Sequence, residues 1–471
     1  MPSPSHHNTT PSGSTATPLV GGFTAGCVLV SNVIGGGIFT ATGFMARDLG
    51  DPWIILMLWA VGALFALAGA LSYAEMAAAL PRVGGEYVYI SEAYGPLLGY
   101  LSGWASFTVG FGAAIAAAAA SFAAYFLELF PVRLESELPA RGLALLLVWG
   151  LTAVHLTGVG PGGLLQRLLT ITKVASILLL VGGAFLLGHG SWEHLSPSAA
   201  GATRGIGTLA VSFIFVIYAY SGWNAVGYIA GEIRNPGRTI PIALTWGTLF
   251  VGLVYLMLNV VYLYALPVDV LSQPPILPVA EKAAVALFGT GAARLITVML
   301  CVSIATAVSA MIWVGPRVYY AMARDGRLPA FLGRSRAKGG APTAAILVQT
   351  AWASVLIVSG SFEQLIIYTG IILGVFSALA VGAVIVLRRR RPMLPRPYRV
   401  PFYPLTPCAY LVVAVALVLY TVIERPMEAG LGLATVLVGV PLYFLQHRRG
   451  PSSRFRLSVP FRSDEKTEKA E

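Results

Sequence analysis

Asn32-Val33-Ile34-Gly35-Gly36-Gly37-Ile38-Phe39 and Tyr218-Ala219-Tyr220-Ser221-Gly222-Trp223-Asn224 interrupt two long apolar runs in the same manner. Each glycine disfavours a helix by roughly 1 kcal/mol relative to alanine, so three in a row predict a break. A break frees backbone amides and carbonyls that lipid cannot satisfy. Such backbone persists at membrane depth only where protein buries it or where it lines a wet cavity. A half-helix that starts at a break presents N–H groups and a positive dipole end; one that stops there presents carbonyls and a negative end. The amides of Gly36, Gly37 and Ile38 therefore suit a carboxylate, and the carbonyls of Val33, Tyr218 and Ser221 suit an ammonium. Together they form a receptor for the α-groups of an amino acid, with no charged side chain required. Glycines also let membrane helices pack closely. The pairing of two breaks in two halves of a chain is what favours a transport site over packing alone.

Other side chains around the breaks carry expectations of their own. Tyr218, Tyr220 and Trp223 ring the second break, and one of them is expected to close over a substrate as a lid; Tyr218 sits mid-span, too deep for an aromatic interface belt. Asn224 has two open roles, bridging the break to a neighbouring helix or touching substrate. Ionisable groups within spans are functional hypotheses by default. Lys173 lies six residues beyond Arg167, roughly 9 Å deeper along a helix. Its ammonium is expected to point inward and cap carbonyls freed at the first break, a fixed cation in place of a metal ion. It is also the group to examine if transport is proton-linked, because burial lowers the proton affinity of a lysine. Glu75 reads as a snorkelling structural residue near a helix end. Glu232 and Arg317 sit near cytoplasmic helix ends, where they form a candidate gate pair. The sequence places no acidic residue beside either break, which argues against cationic substrates and leaves neutral amino acids as the best fit.

The elements that must hold these groups follow from composition. Of 471 residues, 56% are hydrophobic and only 11% are charged, against about 25% charged in soluble domains. The expectation is an all-α polytopic membrane protein. A crossing needs about 20 apolar residues, and twelve spans are expected: 20–46, 53–80, 96–130, 142–158, 163–188, 206–232, 241–266, 292–323, 343–360, 362–387, 404–423 and 429–446. The breaks open span 1 and span 6, which implies a 5+5 inverted repeat (20–188 and 206–387) with spans 11 and 12 (404–446) appended. The gaps Pro81–Gly95 and Leu266–Gly291 are expected to hold interfacial helices. Lys and Arg number 22 on one side of this topology and 7 on the other, so the positive-inside rule puts both termini in the cytoplasm. Residues 1–19 and 447–471 read as tails, and Arg388–Arg391 as a stop-transfer anchor that touches lipid. The net charge of +11 is spread over loops and gives no reason to expect nucleic acid. Cys27, Cys301 and Cys408 have no metal spacing, and neither a metal nor another cofactor is expected.

With the breaks, the lysine and this layout in hand, the chain resembles the amino acid–polyamine–organocation superfamily over residues 20–446. The blocks that carry the resemblance are Val33 to Phe39, Ser72-Tyr73-Ala74-Glu75-Met76, Pro81-Arg82-Val83-Gly84-Gly85-Glu86-Tyr87-Val88-Tyr89, Tyr218 to Asn224 with Gly231-Glu232-Ile233-Arg234-Asn235-Pro236, and Gly315-Pro316-Arg317 with Ala323-Arg324-Asp325-Gly326. Ala219 to Asn224 is most similar to the L-type amino acid transporter branch. The resemblance implies the leucine-transporter-like fold and alternating access. It implies carboxylate binding at Gly36 and Gly37, amine binding at Val33, Tyr218 and Ser221, gating by Tyr218, and Lys173 in place of a sodium ion. The chain departs from the L-type pattern at Gly36, where serine is common, and at Tyr218, where phenylalanine is common. Eukaryotic relatives link a heavy chain through a cysteine between spans 3 and 4; residues 128–141 contain none, so no disulfide-linked partner is expected.

The resulting expectation is a sodium-independent carrier or exchanger of neutral L-amino acids in the plasma membrane, the inner membrane if the cell is bacterial. A proton-coupled symporter, or a cationic amino acid or polyamine carrier on the same fold, is the alternative. An intramembrane enzyme is disfavoured because the spans hold no H-E-x-x-H or C-x-x-C. Gly158-Val159-Gly160-Pro161-Gly162-Gly163 matches a nucleotide-loop pattern without the strand that it needs. A sensor is disfavoured because neither tail is long or apolar enough to fold as an output domain.

Overall fold

The computed structural model describes residues 20–130, 138–196, 205–276, 278–334, 342–360 and 362–447; the expected tails and the loop residues Arg133, Arg204, Arg336 and Lys338 lie outside them. The described residues are mostly helical. In order they form α1 (Gly22–Val33), α2 (Gly36–Leu49), α3 (Pro52–Ala79), α4 (Glu86–Tyr94), α5 (Pro96–Ala105), α6 (Gly112–Leu127), α7 (Leu138–Leu156), α8 (Val159–Leu186) and α9 (Ile206–Tyr220). The second part comprises α10 (Ala225–Tyr228), α11 (Pro236–Ala265), α12 (Val268–Leu271), α13 (Val279–Val314), α14 (Pro316–Arg324), α15 (Thr343–Ser359), α16 (Phe362–Arg390), α17 (Leu405–Glu424) and α18 (Pro426–His447). Among the described residues, ten continuous or broken helices are long and apolar enough to cross a membrane, and two shorter apolar helices, α9 and α15, stand where spans 6 and 9 were expected. The apolar character continues onto the outside: Leu64, Leu146, Trp246 and Val412 are largely exposed. A helix that is apolar all round belongs in a core or a bilayer, and this is a multi-pass membrane protein.

Local sequence explains the boundaries that matter for the site. α1 stops where Ile34 turns extended, and α2 restarts at Gly36 after Gly35, whose side-chain-free N-cap offers its helix no acceptor. α2 ends at Gly50, with φ +67°, a left-handed position suited to glycine. Asp51 caps α3 at the Trp53 and Ile54 amides, 2.8 and 3.0 Å away, with Pro52 as the first helical residue. α9 ends at Tyr220, and the chain turns through Gly222, φ +99°, before α10. The third span holds a feature with no sequence signal: α5 and α6 are joined by a π-helical stretch, Ser106–Phe111. Such bulges recur at functional sites.

Two expectations about charge are corrected. Glu75 does not snorkel: its side chain is fully buried. Arg388 grips it with Nε at 2.8 Å and Nη2 at 2.6 Å, Arg396 lies 3.4 Å away, and the Val400 amide donates to it at 2.8 Å. Nor is Arg388–Arg391 only a lipid anchor. Besides Arg388, Arg390 donates to the Ala93 carbonyl and Arg391 pairs with Glu92, which also binds Arg82. Isolated charges are costly to bury, so the arginines fold back to meet the carboxylates of α3 and α4. This pins the interfacial helix α4 and the α16–α17 connection onto the end of α3.

Candidate functional site

The two breaks lie against each other in the core. The Tyr255 hydroxyl of α11 is 2.8 Å from the Val33 carbonyl and 2.9 Å from that of Ala219. The Asn32 amide donates to the Gly222 carbonyl at 3.2 Å. Two of the carbonyls assigned to an ammonium are thus already engaged. Val33 accepts from Tyr255, and Tyr218 accepts from the Ser221 amide at 3.0 Å and hydroxyl at 2.6 Å. A carbonyl has two lone pairs, so Val33 keeps one, whereas Tyr218 can take an ammonium only when Ser221 lets go of it.

The amides of Gly36, Gly37 and Ile38 open α2 with no side-chain cap, as the first amides of any helix do unless something reaches them. The glycines are also needed for fit. A side-chain carbon on Gly37 would meet the Ala219 backbone at 2.9 Å and the Tyr218 ring at 3.1 Å. Tyr218 thus lies over the first break, where a lid would lie, nearly fully buried.

Lys173 is completely buried, and its ammonium donates to the carbonyls of Ser31 (3.1 Å) and Ile34. These are carbonyls that lose helical partners when α1 stops. The Glu232 and Arg317 side chains approach to 3.5 Å. The Glu232 carbonyl also receives the Val20 amide, which brings the start of the described chain against the end of the second break.

A cavity of about 70 Å³ opens on the second break. Ser221, Trp223 and Asn224 line it, with Asn32, Phe65, Phe111, Tyr228, Met311, Ser377 and Tyr410. Val33, Gly36, Gly37, Ile38 and Tyr218 do not. Of the first break, Asn32 alone reaches this cavity; Ala219 and Tyr218 pack directly onto Gly37 and close the space beside the α2 amides.

The cavity also corrects the expectation that no carboxylate stands near a break. Glu86, the first residue of α4, lines it and accepts from the Asn224 amide at 2.8 Å. Asn224 donates to the Tyr228 hydroxyl as well, at 3.0 Å, so it bridges the break to the interfacial helix. Glu86 went unnoticed because it is 138 residues from Asn224 in sequence; the only signal was its place in the Pro81–Tyr89 block.

Burial, only partly offset by the Asn224 hydrogen bond, pushes the Glu86 carboxyl up to about 7. Its folded-state value lies above the ordinary 4.5, so its contribution to stability is full below pH 4.5 and is lost as pH rises through about 7. By linkage this amounts to about 3 kcal/mol. The purified protein is expected to melt at a lower temperature at pH 8 than at pH 5, and Glu86→Gln is expected to flatten that slope. Equal slopes in the two proteins would show that Glu86 does not carry the dependence.

Comparison with known proteins places the chain in a family. Residues 20–440 match the model of the amino acid permease family. The human large neutral amino acids transporter small subunit 2 is 30% identical over 435 residues, which cover 90% of this chain and 79% of that protein. The mouse Asc-type amino acid transporter 1 is 30% identical over 90% of this chain and 80% of its own. The human cystine/glutamate transporter is 27% identical over 89% and 83%.

Proposed function

The chain belongs to the amino acid permease family, and from that premise we propose that it moves neutral L-amino acids across the membrane by sodium-independent exchange or facilitated transport. The single observation that carries the reading is the pair of facing helix breaks with Lys173 on the carbonyls of the first. A buried ammonium there supplies the positive charge that a bound sodium ion would otherwise bring, so the cycle needs no sodium gradient. The α2 amides take the substrate carboxylate, and the carbonyls of Val33, Tyr218 and Ser221 take the amine. Because Tyr218 packs on Gly37, loading requires α9 to move away from α2. Closure by Tyr218 on one side and the Glu232–Arg317 pair on the other then alternates access.

The 22-to-7 bias in Lys and Arg supports a plasma-membrane orientation with both termini in the cytoplasm, on the 5+5+2 helix plan. The relatives named as small subunits belong to assemblies. For this chain we infer no disulfide-linked partner, because residues 128–141 hold no cysteine. Lipid and the amino acid are its expected ligands.

Glu86 supports a second reading, a proton-coupled symporter. A carboxylate that lines the cavity can carry a proton, and it also removes the argument against substrates with a cationic side chain. The deciding experiment is uptake of labelled amino acids into proteoliposomes, with and without internal amino acid, at symmetric pH and under an inward proton gradient. Uptake that ignores the gradient is the expected result; a need for internal amino acid identifies exchange, and uptake into empty vesicles at symmetric pH identifies facilitated transport. Uptake into empty vesicles driven by the gradient favours the symporter, and failure to take up any amino acid overturns both readings.

A further inference from the structure

We propose that Ser121 is a substrate-binding residue, whose hydroxyl completes the carboxylate site at the start of α2 in the place of a side chain that Gly36 lacks. The inference rests on the reading above that α2 binds the substrate carboxylate. It comes from a different helix, α6 of the third span. Ser121 is fully buried, and its Oγ has no hydrogen-bond partner among the described residues.

That isolation is unusual for a hydroxyl on a helix, which normally bonds the carbonyl four residues back. Ser72, Thr108, Thr170, Thr297, Thr306 and Thr369 all do so in this protein. Ser102, Ser212, Ser303 and Thr248 also have unpartnered oxygens, but only Ser121 among them is a nearest neighbour of a break glycine. Its Oγ lies 2.8 Å and its Cβ 2.9 Å from the point where a side-chain carbon on Gly36 would stand. The oxygen therefore fills the volume of a residue-36 side chain, next to the uncapped amides of Gly36, Gly37 and Ile38.

A hydroxyl left without an acceptor in the core costs stability, and a carboxylate at the α2 amides supplies that acceptor. It would accept from the backbone amides and from Oγ together, the charge-assisted kind of hydrogen bond that is stronger than a neutral one. The glycine at 36 and the serine at 121 form one unit: the lack of a side chain at 36 makes room for the hydroxyl of 121 beside the α2 amides. The ligand class is an α-amino carboxylate, and the hydroxyl acts on the carboxylate end alone.

The test is Ser121→Ala, measured as KM in proteoliposome exchange for the neutral amino acid carried fastest by the wild type. Competition by that amino acid and by its carboxamide is compared in parallel. No described residue bonds the hydroxyl, so S121A is expected to melt no lower than the wild type. It should raise KM about 10-fold, equivalent to about 1.4 kcal/mol, and weaken the carboxylate ligand more than the carboxamide. The second variant moves the hydroxyl across: Gly36→Ser combined with Ser121→Gly removes the 2.9 Å clash and should bind better than Ser121→Gly alone. An unchanged KM in S121A overturns the inference, as does a combined variant no better than Ser121→Gly. Both results leave the transport reading intact, because that reading fails only if the wild type carries no amino acid.

Discussion

Replacing Lys173 with alanine is expected to reduce amino acid exchange by two orders of magnitude or more. The ammonium holds the Ser31 and Ile34 carbonyls, and no water-filled path is needed to explain its position, because α1 ends there and its last carbonyls need donors. Hydrogen bonds to charged groups contribute about 1.5–3 kcal/mol each, so losing two of them costs about 3–6 kcal/mol. That is a hundredfold or larger shift in the population of the ordered break. Lys173→Met, which keeps the apolar stem, should fail equally, since the stem only fills space. Exchange rates of purified K173A and K173M in proteoliposomes, with reconstituted protein quantified, provide the measurement. A variant retaining a third of the wild-type rate would show that the ammonium does not hold the break.

The largest stability effect is expected at Glu75. Removing one partner from a buried ion pair costs about 3–5 kcal/mol, because the other charge is left uncompensated. Here Glu75→Gln leaves Arg388 and Arg396 facing each other and weakens the acceptor of the Val400 amide. A fall in melting temperature on the order of 5 °C or more in detergent is expected. Adding Arg388→Met to E75Q should recover part of it, since a pair replaced by apolar groups is often neutral. A melting temperature unchanged in E75Q would mean that the cluster is solvated in the membrane and contributes little. The Arg388 guanidinium also stacks over Tyr403 at 3.8 Å, so the double variant is expected to recover less than the full loss.

These predictions mark where sequence reasoning reached and where it stopped. The breaks at Gly35–Gly37 and Ser221–Gly222, and the inward position of Lys173, were readable because they are local. Consecutive glycines weaken a helix wherever they stand, and a lysine that deep in an apolar run has few directions that avoid lipid. The membrane class and the approximate span boundaries were readable for the same reason: the cost of burying charge and exposing backbone is set residue by residue. The tails and several loop arginines fall outside the described residues.

What only the tertiary structure decided depends on residues far apart in the chain. Glu86 meets Asn224 across 138 positions, Glu75 meets Arg388 across 313, and Ser121 meets Gly36 from another span. Each of these side chains, read alone, was an ordinary loop acid, a helix-end acid and a small helix residue. The π turn at Ser106–Phe111 and the closing of Ala219 onto Gly37 likewise have no local signature. The sequence by itself determined that this is a membrane protein of broken apolar helices with a cation beside the first break, because solvation acts on each residue separately. Packing decided which polar groups share a cavity and which donors remain unpaired, because hydrogen bonds and ion pairs need two partners within a few ångströms, and chain order does not specify that distance.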